Sequence, residues 1–102
     1  MSKFVEVAKK NEIPDQSAKC VEVEDKTVAL FNLGGEFYAI DNTCTHKGGP
    51  LCEGDIIGEE VECPWHGATF NINSGEVILK PAEENVTKYN VRVQGEVIEI
   101  EI

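Results

Sequence analysis

Short runs of alternating apolar and polar residues, broken every few positions by turn formers, extend along the whole chain. Residues 3–8 read as a first strand, with Val5 and Val7 on one face. Residues 18–24 and 27–33 are alternating or β-branched runs, and Asp25-Lys26 between them predicts a hairpin. Gly34-Gly35 supplies the next tight turn, because glycine adopts positive φ without steric cost. A strand over 36–40 then leads into a loop. Further on, Gly54-Asp55-Ile56-Ile57-Gly58 reads as a turn-rich link and 60–63 as a short strand. Asn73-Ser74-Gly75 separates runs at 68–71 and 76–79, a further hairpin. After a loop over 80–85, residues 88–93 and 96–102 form a C-terminal hairpin whose last strand carries Val97, Ile98, Ile100 and Ile102. No helix of useful length, repeat or low-complexity segment is present, so the fold class is all-β.

Those 102 residues make one domain with a modest core. The expected architecture is an antiparallel β-sandwich base built from 1–40 and 83–102, with a smaller β subdomain inserted over 41–82. A chain this small benefits from a staple, and a metal joining two loops provides one.

The inserted stretch holds the chemistry. Cys44-Thr45-His46 and Cys63-Pro64-Trp65-His66-Gly67 each offer one thiol and one imidazole, far enough apart for the loop between them to fold back. Zinc fingers usually pair cysteines at one end and histidines at the other. Here each half is mixed, which suits a two-metal cluster with both thiolates on one iron and both imidazoles on its partner.

Through Cys44-Thr45-His46-Lys47-Gly48-Gly49-Pro50-Leu51 and Cys63-Pro64-Trp65-His66-Gly67-Ala68-Thr69-Phe70, and through its sheet-like flanks, the chain resembles the Rieske ferredoxins. The resemblance implies a Rieske (iron–sulfur-protein-like) fold and a [2Fe–2S] cluster. It assigns Cys44 and Cys63 to one iron and His46 and His66 to the other. It implies a one-electron carrier, not an enzyme, working between an NAD(P)H-dependent flavin reductase and a terminal oxygenase. High-potential family members carry a loop-bridging cysteine pair at the positions of Gly49 and Trp65, and serine and tyrosine hydroxyls at those of Ala68 and Phe70. Fewer donors to sulfur disfavour the more negative reduced form, which predicts a potential towards the lower end of the roughly −150 to +300 mV Rieske range. The small Rieske-like subunit of an assimilatory nitrite reductase is one alternative. A structural zinc module on the same four ligands is another.

The formal charge is −10 with a pI near 4.5, which disfavours nucleic acid and anionic membranes as partners. From Gly48 through Leu79 there is no lysine or arginine, while Glu53, Asp55, Glu59, Glu60, Glu62 and Glu76 are present. An acidic surface around the metal predicts docking to basic patches on redox partners. No signal-peptide-like or membrane-spanning apolar stretch occurs, so a cytoplasmic, membrane-free protein is expected, and a ligand tip that must meet two partners in turn suits a monomer. Two cysteines remain outside the ligand set. Cys20 reads as a buried small apolar residue, and Cys52 as a packed residue or spare thiol.

Overall fold

The computed structural model describes residues 3–24, 26–43, 49–64, 67–79 and 84–101. Its strands in chain order are β1 (Phe4–Lys9), β2 (Ser17–Val23), β3 (Lys26–Leu33), β4 (Glu36–Asp41), β5 (Asp55–Ile57) and β6 (Glu60–Glu62). They continue with β7 (Thr69–Asn71), β8 (Val77–Leu79), β9 (Lys88–Tyr89), β10 (Val91–Gln94) and β11 (Val97–Glu101). Only two 3-10 turns, Lys10–Glu12 and Leu51–Glu53, interrupt them among the described residues. No helix there is long and apolar enough to cross a membrane.

Among the described residues three antiparallel sheets form, with orders β1-β11-β10, β2-β3-β4-β9 and β5-β6-β7-β8. The second is the middle layer, and β3 shows why. Its residues alternate between two cores: Val28 and Leu30 join Ala8, Ile98 and Ile100, whereas Ala29 and Phe31 join Val61 and Phe70. A strand apolar on both faces can only sit between two layers. Strand β4 follows the same parity, with Ala39 in the first core and Ile40 in the second. Register keeps like with like, since Leu30 pairs with Ala39 and Phe31 with Tyr38. The hairpin between β3 and β4 closes through Gly34 and Gly35 at φ 67° and 93°, as the glycine pair predicts.

Several local expectations change. Instead of a turn-rich link, 55–57 forms β5, whose Ile56 pairs with Val61 across the Gly58 turn. Pairing with β6 satisfies backbone groups that so short a run could not satisfy alone. The expected strand at 88–93 splits at Asn90. Strand β9 pairs with β4 in the middle sheet, and β10 pairs with β11 in the outer one. Asn90 forms the joint: its carbonyl accepts the Glu101 N–H at 2.9 Å, and its amide donates to the Glu101 carboxylate at 2.8 Å. In β1 the register shifts between Glu6 and Ala8, a bulge that lets Ala8 join the core that Val5 and Val7 already pack against. On β11 the alternation gives one apolar face, with Ile98 and Ile100 fully buried.

Candidate metal centre

The described residues on either side of each candidate ligand segment pair as a hairpin-like stem. The first stem continues from β4. Thr43 and Pro50 form an isolated antiparallel bridge, and the Leu51 N–H donates to the Asn42 carbonyl at 2.8 Å. The second joins β6 to β7, where the Cys63 N–H donates to the Ala68 carbonyl at 2.7 Å. Gly67 turns this loop with φ 76°, a left-handed geometry that glycine tolerates best. The Thr69 hydroxyl donates to the Gly67 carbonyl at 3.4 Å and helps hold the turn.

The stems meet in the core between the middle sheet and the β5–β8 sheet. Leu51, which follows the first candidate segment in the chain, and Cys63 and Ala68, on either side of the second, share one buried cluster with Phe31, Phe70 and Val61. Cys63 is 2% exposed, so its sulfur lies away from bulk water. The other candidate ligands, Cys44, His46 and His66, lie outside the described residues, as do Gly48 and Trp65. Among the described residues no group of three or more metal-binding side chains converges.

The sequence reading overlooked Asn42, which is 8% exposed and organises the first stem. Its N–H donates to the Thr27 carbonyl at 3.1 Å, its carbonyl accepts from Leu51, and its Oδ1 accepts the Cys52 N–H at 2.7 Å. An asparagine closing a strand just before a ligand loop was the available signal. Beside it, burial and the Asp41 carboxylate push the Tyr89 phenol above its ordinary pKa, with the Lys26 ammonium 5.8 Å from the ring centroid.

Electrostatics around the second loop are negative. The Glu62 carboxylate lies 3.7 Å from where a Cβ on Gly67 would stand. Glu53, Asp55, Glu59 and Glu76 are exposed on the same stretch of chain. The ion pairs Lys3–Glu24, Lys19–Glu12 and Arg92–Glu99 all lie elsewhere.

Cys20 corrects an expectation. It is exposed, and it forms a disulfide with Cys52 across Cα atoms 5.3 Å apart. Strand parity is the reason. Val21 and Val23 enter the outer core, so Cys20 faces the opposite way, towards the 3-10 turn carrying Cys52.

A buried cysteine on a β-hairpin, sharing one core with a second loop stem, belongs to a β module with three antiparallel sheets among the described residues. Residues 3–90 match the Rieske [2Fe-2S] domain, and the chain belongs to that family. Over 100 residues it is 34% identical to the naphthalene 1,2-dioxygenase system ferredoxin component of Pseudomonas aeruginosa, covering 98% of this chain and 96% of that protein. Its fold superposes on the ferredoxin of carbazole 1,9a-dioxygenase from Nocardioides aromaticivorans IC177 with TM-score 0.92, at 29% identity and 96% coverage of both chains. A chain in the complex of reduced oxygenase and oxidized ferredoxin of carbazole 1,9a-dioxygenase gives TM-score 0.89 at 28% identity, covering 95% of this chain and 91% of that one.

Proposed function

We propose that this chain is a one-electron carrier of the Rieske ferredoxin type, serving a terminal oxygenase. In this reading Cys44 and Cys63 hold one iron of a [2Fe–2S] cluster, and His46 and His66 hold the other. The base comprises 1–40 and 83–102, and the cluster-binding subdomain 41–82. The observation that carries the proposal is the meeting of the two loop stems in one buried cluster around Cys63. Likeness to dioxygenase ferredoxins over nearly the whole chain supports it.

The donor set fits the group. Two thiolates stabilise a ferric iron and two neutral imidazoles suit the more easily reduced one, so the cluster supplies reversible one-electron storage when bound. The protein excludes water on the cysteine side through the packing of Leu51, Ala68 and Phe70, all fully buried. Neither Ala68 nor Phe70 carries a hydroxyl to donate to a cluster sulfur, and the Glu62 carboxylate beside the second loop adds negative charge. Both features disfavour adding an electron. The dithionite-reduced protein should show a Rieske-type EPR signal with equal iron and sulfide, and a midpoint below zero within the roughly −150 to +300 mV family range. Zinc in place of iron would overturn the reading, and a midpoint well above zero would remove its low-potential part.

Electrons would arrive from an NAD(P)H-dependent flavin reductase, in the cytoplasm and through a monomer that meets its partners in turn. Both partners would dock at the cluster end, where 49–79 bears acidic residues and no lysine or arginine. Such steering weakens with salt, because the Debye length falls from about 10 Å at 0.1 M to about 3 Å at 1 M. Reduction by the reductase should slow on the order of tenfold between low salt and about 0.5 M. Stopped-flow rates indifferent to ionic strength would refute acidic docking.

A further inference from the structure

Cys20 and Cys52 stand outside the proposed ligand set, and electron carriage gives them no task. Their placement does. The bond spans 32 residues and encloses the entire first ligand loop. One end is fixed on β2 of the middle sheet, and the other on the Leu51–Glu53 turn, directly behind the Thr43–Pro50 bridge. Asn42 gathers both ends. Its Oδ1 accepts the Cys52 N–H at 2.7 Å and lies 3.9 Å from the Cys20 sulfur. The link therefore ties the stem of the ligand loop to the base. Inert structural disulfides are typically buried, whereas Cys20 is an exposed residue on β2 and its contact with Asn42 is only partly buried. Intracellular disulfides, when present, are usually redox-sensing or catalytic.

We propose that Cys20–Cys52 is a reversible thiol–disulfide site that clamps the first ligand loop according to the thiol poise around the protein. The clamping rests on the Rieske carrier reading; the exchange itself does not. The exchange partner is a low-molecular-weight disulfide of the glutathione type. The Cys20 thiolate attacks one sulfur of that disulfide, forming a mixed disulfide and expelling the first small thiolate. The Cys52 thiolate then attacks the Cys20 sulfur, closing the protein bond and expelling the second. The protein dithiol loses two electrons and two protons, and the small disulfide leaves as two thiols. Reduced glutathione reverses both steps.

The test equilibrates the iron-loaded protein in glutathione buffers of graded redox ratio and traps free thiols with a maleimide. Mass spectrometry then reads the Cys20–Cys52 linked peptide, while visible absorbance follows cluster loss to a chelator. The linked peptide should vanish as reduced glutathione rises, and cluster loss should quicken on the order of tenfold, equivalent to about 1.4 kcal/mol of restraint. Cys20→Ser and Cys52→Ser should lose cluster at the fast rate in every buffer. A linked peptide missing at all ratios, or surviving excess reduced glutathione, would overturn the exchange. Equal loss rates with and without the bond would overturn the clamp. A preparation without iron would defeat the carrier reading, and the peptide assay would still decide whether the pair exchanges.

Discussion

Cys63→Ser is expected to yield a folded protein with no [2Fe–2S] cluster. The backbone at this position is set by the Cys63–Ala68 hydrogen bond at 2.7 Å, and β6 and β7 pair through Glu62 and Thr69 just beyond it. Neither contact involves the side chain, so the hairpin should survive. On the proposed ligand assignment, what changes is the donor: a thiolate on iron becomes a hydroxyl that stays protonated at neutral pH. Losing one of the four proposed ligands would also open the site to water. Iron and sulfide should fall to background and the reduced EPR signal should disappear, while circular dichroism keeps its β signature. Cys52→Ser serves as the contrast and should retain iron when freshly loaded. A full Rieske signal from the Cys63 variant would remove that residue from the ligand set.

The second large effect is on stability. Phe31→Ala should destabilise the fold by about 3–5 kcal/mol, the usual cost of deleting a buried aromatic side chain. Phe31 is fully buried on the face of β3 that meets the β5–β8 sheet, in one cluster with Leu51, Cys63 and Phe70. Its loss therefore opens the layer joining the middle sheet to the loop stems. Small domains are typically stable by only about 5–15 kcal/mol, so the variant should unfold at a much lower urea midpoint with a similar slope. Val93→Ala is the control. That residue is 40% exposed on β10, and such surface changes usually cost within about 0.5 kcal/mol. Equal urea midpoints for the two variants would refute the central role of β3.

Much of this protein was legible in one dimension because its signals are local. Alternation over 97–101 reports a strand with one buried face, and Gly34-Gly35 reports a tight hairpin, since side-chain direction and allowed φ depend on immediate neighbours. The mixed cysteine–histidine segments were equally plain, since ligand chemistry and spacing are properties of residue type. The family match over 3–90 agrees with the resemblance those segments carry.

Other features depended on pairing across distance. Strand β5 exists because β6 lies beside it, and Asn90 divides two strands because their partners belong to different sheets. Nothing in either stretch specifies those partners. Cys20 looked like a core residue by its alternating context, yet the parity that buries Val21 turns its sulfur away from that core and towards Cys52. Asn42 passed unremarked for the same reason, as its three backbone partners come from Thr27, Leu51 and Cys52. The sequence by itself determined the strand class and the family, and it supplied the ligand assignment that the proposal rests on. Only the tertiary structure decided which strands pair, which face each cysteine takes and how the two loop stems share a core, because those outcomes depend on burial and hydrogen bonding between distant segments.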